Sequence, residues 1–243
     1  MNARTLLAML ALASAGQTMA HGGVADLSVY DRTEGRRLRV HWHEGRAYVV
    51  GKPGNEYQVT VRNRLSEDLL AVVSVDGVNV VSGETANPAQ TGYVLSRLQS
   101  YDIQGWRKSV SQTAAFYFTS LPDSYAARTG RPDDVGVIGV ALFRRKTPPQ
   151  PIAPAPYPQR GAASDAAPAA AERSARIGTG HGRRETSYVE QVDFERATNV
   201  PAETVVLYYD SHANLVAKGV IRENVPVAPL PRPFPGFVPD PRG

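Results

Sequence analysis

Three of the five histidines stand where nitrogen-donor chemistry is conceivable: His21, His41 and His43. If the segment before His21 is removed, its imidazole and a free α-amine together can chelate copper(II), because nitrogen donors suit that ion. A second histidine is then needed. His41 and His43 share one face of a strand, since strand side chains alternate. The competing reading makes His21 the first residue of a loose terminus and His41-Trp42-His43 an exposed strand face with Trp42 buried.

Gly105-Trp106-Arg107-Lys108-Ser109 places a tryptophan beside two cations after a strand. Trp and Arg are common interface anchors, so Trp106, Arg107 and Lys108 form a candidate surface for a glycan or peptide. The bland alternative has Trp106 plugging one end of the fold while Arg107 and Lys108 face water. Gly178-Thr179-Gly180-His181-Gly182 offers either a backbone nest for an anion or a glycine-rich turn. Asp210-Ser211-His212 juxtaposes triad residue types, but a triad is assembled in space rather than by adjacency, and Asp and Ser are ordinary turn formers. Asp133-Asp134, Glu84 and Asp102 fit no calcium-loop spacing, and no G-x-S-x-G, H-E-x-x-H or EF-hand pattern occurs.

The elements that must position these residues are strands. At Leu69–Ser82 (LLAVVSVDGVNVVS) two apolar runs meet at Asp76-Gly77, a pair that tolerates positive φ at both turn positions and so signals a β-hairpin. A two-residue turn sets Val75 opposite Val78 and Val73 opposite Val80, which puts four valines on one core face. Short β-rich runs punctuated by Gly, Asp, Asn and Pro fill residues 25–146, and VGVIGVALF (Val135–Phe143) reads as a strand covered on both faces. A helix of one or two turns is expected near Asp123–Arg128, started by Pro122-Asp123 and ended at Gly130. Such close strand spacing predicts an all-β fold, an antiparallel β-sandwich of roughly eight to ten strands.

The termini and the middle differ in composition. MNART, LLAMLALASA and GQTMA read as the n-, h- and c-regions of a signal peptide spanning 1–20. Ala15 and Ala20 are competing cleavage points, with Ala20 favoured. No apolar stretch is long enough to span a bilayer. Residues 21–146 form the sandwich, and 147–173 a Pro/Ala-rich linker. Residues 174–222 read as a returning β segment ending in a hairpin, Thr204–Tyr209 with Leu215–Ile221, and 223–243 as a Pro-rich tail. The proline-rich stretches are spacers or extended docking strands. The chain has no cysteine, which excludes zinc-thiolate sites, disulfides and a lipoprotein anchor. A net charge of +4, spread in short basic groups, lacks the stripe that nucleic-acid binding requires.

The blocks Val61-Arg62-Asn63-Arg64, LLAVVSVDGVNVVSGETA, Ile103–Ser109, AAFYFT, DSYAARTG, VGVIGVALF and GTGHG together resemble a group of uncharacterised exported proteins of Gram-negative bacteria. The resemblance implies an exported, β-rich protein and no particular activity. The reading that results is a periplasmic or extracellular, non-enzymatic binding or structural module with an envelope protein or glycan as partner. The alternative is a copper-binding or copper-redox protein using His21 with His41 or His43.

Overall fold

The computed structural model describes residues 18–147 and 176–223. Residues 1–17 of the expected signal peptide, the Pro/Ala-rich segment from 148 and the tail from 224 lie outside them. The strands are β1 (Ala20–His21), β2 (Ala25–Asp31), β3 (Arg36–Arg37), β4 (His41–His43), β5 (Arg46–Val50), β6 (Glu56–Asn63), β7 (Leu69–Val75), β8 (Val78–Asn79), β9 (Tyr93–Leu95), β10 (Ser100–Ile103), β11 (Gly105–Ser109), β12 (Gln112–Ser120), β13 (Val137–Arg144), β14 (Ile177–Thr186) and β15 (Glu203–Asp210). Two short helices, α1 (Tyr125–Arg128) and α2 (His212–Ala217), complete the elements, with a 3-10 turn before α1.

The strands form a sandwich. One sheet of eight strands runs β1-β2-β6-β12-β11, with β3, β10 and β14 attached to β2, β6 and β12. The other sheet, of seven, runs β4-β5-β15-β13-β7-β8, with β9 on β7. The valine hairpin belongs to this second sheet and turns as its sequence requires. Asp76 and Gly77 both have positive φ, 52° and 69°, and Val75 pairs with Val78. Val73, Val75, Val78 and Val80 are all fully buried. β13 lies between β7 and β15, and its unbroken apolar run answers to cover on both faces. Its inner face fills the common core, while Ala141 and Phe143 on its outer face join a smaller cluster with Leu70 and Val72, packed against Val94 and Phe194.

Two sequence expectations are corrected in the returning segment. Gly178–Gly182 is neither a turn nor a nest but the first half of β14, paired along β12. Its glycines make room for neighbours: a Cβ at Gly180 would lie 2.1 Å from the Tyr117 ring, and one at Gly178 would lie 2.6 Å from Ser124 and Val135. Leu215–Ile221 is not a strand, because Ser211 caps α2 by accepting a bond from the Asn214 N–H and Leu215 is buried by the helix. The segment therefore adds one strand to each sheet. β15 pairs antiparallel with β13 on one side and parallel with β5 on the other.

A buried polar chain crosses between the sheets. The hydroxyl of Tyr209 (β15) donates to Asp76 Oδ1 at 2.5 Å, while the N–H groups of Gly136 and Thr179 donate to Oδ1 and Oδ2. Thr179 Oγ1 (β14) lies 2.6 Å from both Tyr209 Oη and Tyr57 Oη (β6). Since Tyr209 gives its proton to Asp76, Thr179 must donate to Tyr209 and Tyr57 to Thr179. Every hydroxyl proton then points toward one carboxylate. Tyr57 stacks on Phe118 at 4.2 Å, and all four members of the chain are buried.

Burial raises the Asp76 carboxyl from 3.8 to about 6, against the downward pull of the bonds from Tyr209, Thr179 and Gly136. The folded state thus binds this proton more tightly than the unfolded chain, and the advantage fades as pH rises from 4 through 6. His41 and His181, both lowered chiefly by burial, act in the opposite direction, so a difference between variants is the clean measure. We expect the destabilisation caused by Asp76→Asn, read by urea denaturation, to be about 1.4 kcal/mol greater at pH 5 than at pH 7.5. A pH-independent difference would show that Asp76 does not titrate there. Asp76→Ala, which strands three donors, should cost at least about 3 kcal/mol.

Candidate functional site

The residues singled out by the sequence are largely committed to structure. Trp106 is 2% exposed, packed edge-on against Phe116 at 4.8 Å and close to Tyr125 and His181. It follows that Trp106 cannot serve as a surface anchor: its place on β11, opposite Ala114 of β12, directs the indole inward. Arg107 does not simply face water either. Its guanidinium bonds Tyr93 Oη and the carbonyl and hydroxyl of Ser187, fastening β11 to β9 and to the chain after β14. Of the three, only Lys108 is exposed. The loop residues after Asp123 form α1, whose Ala126 is buried.

His21 is ordered in β1, where it pairs with Asp26. Its Nδ1 is 2.9 Å from Asp26 Oδ1, so a metal at that nitrogen would have to displace this contact. The following Gly22-Gly23 is clasped by Glu203, which accepts the N–H groups of Gly23 and Val24 at 2.7 Å each. Ala20 is buried and pairs with Leu27. Cleavage after Ala20 removes that rung of β1, whereas cleavage after Ala15 keeps it. His41 and His43 lie on β4 in the opposite sheet from His21. Among the described residues no three His, Asp or Glu side chains gather to hold a metal ion. Trp42, expected to be buried, is 49% exposed on the edge strand.

The triad-like run is a helix start. Asp210 accepts bonds from the Ser211 N–H and the Asn214 side-chain amide and pairs with Lys218 at 2.6 Å, while Ser211 caps α2. His212 points instead toward Glu223, at 3.7 Å. Of the scattered acids, Asp102 accepts the Thr60 hydroxyl and Glu84 a Gln90 amide proton.

A site that the sequence did not announce lies at the β5–β15 junction. Ala47 and Val49 of β5 turn into the core, so Arg46, Tyr48 and Val50 share its outer face. The parallel register sets Tyr48 beside Tyr208, with ring centres 5.5 Å apart and planes tilted by 31°. The Arg46 guanidinium stands 6.0 Å over the Tyr208 ring. These residues line a cleft of about 460 Å³ whose other walls include Asp133, Asp134 and Arg176. None of Arg46, Arg176, Asp133 or Asp134 has an ion-pair partner among the described residues. Alternation in RAYVV and ETVVLYYD gives the outward direction of both tyrosines, but their pairing spans 160 residues and leaves no local signal.

Comparisons of the chain with protein-family models, with curated proteins and with solved structures give no match.

The two tryptophans make the revised surface testable. Acrylamide should quench the emission of Trp42 readily and that of Trp106 hardly at all. A Trp42→Phe protein should accordingly retain a blue-shifted, quench-resistant band. Easy quenching of that band would place Trp106 at the surface after all.

Proposed function

We propose that this chain is an exported, non-enzymatic β-sandwich binding module of the cell envelope, with its ligand site in the cleft beside Tyr48 and Tyr208. The observation that carries the reading is the combination found there: a paired aromatic platform, solvent access, and charges of both signs without ion-pair partners. The triad-like residues are engaged at the start of α2, where Ser211 is the cap and Asp210 is bonded to Ser211, Asn214 and Lys218. Tyrosine suits such a platform because its ring offers apolar contact and its hydroxyl stays wet. The signal-like N-terminus supports export, and no helix among the described residues is long and apolar enough to cross a membrane. Position on a rigid sheet favours recognition, because the side chains are preorganised and lose little freedom on binding.

Two measurements test this. Intact mass of protein recovered from the periplasm of a Gram-negative host should show loss of at least residues 1–15, starting at Gly16 or His21; the full-length mass would overturn export. Cosedimentation with isolated envelope fractions should then detect binding, reduced about tenfold or more by Tyr48→Ala with Tyr208→Ala. Wild-type binding by that double variant, with its denaturation midpoint preserved, would remove the cleft from consideration, as would a wild-type protein that sediments with no fraction.

A further inference from the structure

A second hollow, of about 290 Å³, is lined by Arg36, Arg39, His41 and His212, together with apolar Leu38, Val50 and Ile221. Among the described residues no carboxylate lines it. Arg36 is neutralised by Glu34, which also holds Lys52, and His212 Nδ1 lies 3.7 Å from Glu223 Oε1. Arg39 has no ion-pair partner among the described residues. The two hollows are joined through β5: Tyr48 belongs to the first and Val50 to the second, consecutive on one strand face. His41 of the second is the cross-strand partner of Tyr48. Asp210 and His212 connect them again, since one lines the first hollow and the other the second.

We infer that the two hollows form one extended site for an acidic saccharide, its rings lying on Tyr48 and Tyr208 and an acidic substituent seated among Arg39, His41 and His212. The inference rests on the proposed use of the cleft and names its ligand class. The apolar C–H face of a sugar ring fits a tyrosine platform, and the carboxylates of Asp133 and Asp134 are acceptors suited to its hydroxyls. A planar guanidinium on Arg39 matches a carboxylate or sulfate through paired N–H donors. A peptide is disfavoured by the position. Peptides commonly add as a strand at an open sheet edge, but β5 is hydrogen-bonded to β4 on one side and to β15 on the other. What remains open is the sheet's face, where rings and charges are read rather than backbone.

The test is calorimetric titration of the exported protein with hexagalacturonate, a chondroitin sulfate hexasaccharide, uncharged maltohexaose and hexaglutamate. At least one acidic saccharide should bind, tenfold or more tightly than maltohexaose, and should weaken as salt is raised. Tyr48→Ala and Tyr208→Ala should each lower that affinity about tenfold, while Tyr48→Phe and Tyr208→Phe, which keep the rings, retain it within threefold. Arg39→Gln should remove the preference over maltohexaose. Denaturation midpoints confirm that each variant folds. Equal binding of maltohexaose would keep the cleft as a sugar site and overturn the acidic class. Hexaglutamate binding that needs Arg39 and ignores both tyrosines would replace the saccharide with a polyanion. If no probe binds and none shifts the tyrosine ring resonances, this assignment is overturned, while the envelope-binding test of the cleft is judged separately by cosedimentation.

Discussion

The carboxylate of Asp76 is the point on which the two sheets are registered. It occupies a left-handed turn position, where its backbone makes the hairpin, and its side chain simultaneously accepts from Tyr209, Gly136 and Thr179. Through Thr179 the same chain of hydroxyls reaches Tyr57 in the other sheet. A purely apolar interface between sheets is tolerant of sliding, because dispersion contacts are numerous and non-directional. Hydrogen bonds to one buried carboxylate are not tolerant, since each has a narrow range of distance and angle. The valine face supplies burial; the Asp76 chain selects which packing of that face is the native one.

That selection reaches the cleft. Gly136, whose N–H serves Asp76, follows Asp134 and Val135 at the wall of the cleft, and Tyr209 lies one residue from Tyr208 of the platform. Alternation along β15 sends Tyr209 inward to the carboxylate and Tyr208 outward to the cleft. The inner residue fixes the height and tilt of the strand, and the outer one inherits both. A cleft built in this way has its aromatic pair set by strand register rather than by a loop.

The sequence made local features legible and left long-range ones hidden. Asp76-Gly77, the alternating valines, the doubly covered β13 and the short helix after Pro122 all depend on neighbours within a few residues, and all are found. Gly178–Gly182 was misread because the reasons for its glycines lie some forty to seventy residues earlier: the Tyr117 ring fills the space at Gly180, Ser124 and Val135 that at Gly178, and Ala115 that at Gly182. Leu215–Ile221 has apolar spacing short enough to suit either strand or helix, and the cap at Ser211 decides for helix. Trp42 shows the limit of reading by parity: alternation separates two faces but does not say which one the second sheet covers, and Trp42 is exposed. The Tyr48–Tyr208 pair was beyond reach altogether, since it needs a parallel register between strands on either side of a proline-rich stretch.

The place of β15 in the second sheet has a consequence for how the molecule comes into being. It is the last strand among the described residues, yet it lies between β5 and β13 rather than at an edge, and Glu203 at its start also clasps Gly23 and Val24. A polypeptide emerging from its N-terminus can form the valine hairpin early, from contacts close in sequence. The sheet itself stays split into two unjoined parts until residues 203–210 arrive to bridge them. Closing so long a loop makes the final step slow relative to local pairing, and the chain cannot lock prematurely into its finished form. Local pairing can therefore run ahead while this sheet stays open, and the strand that closes it is one whose partners lie far away along the chain.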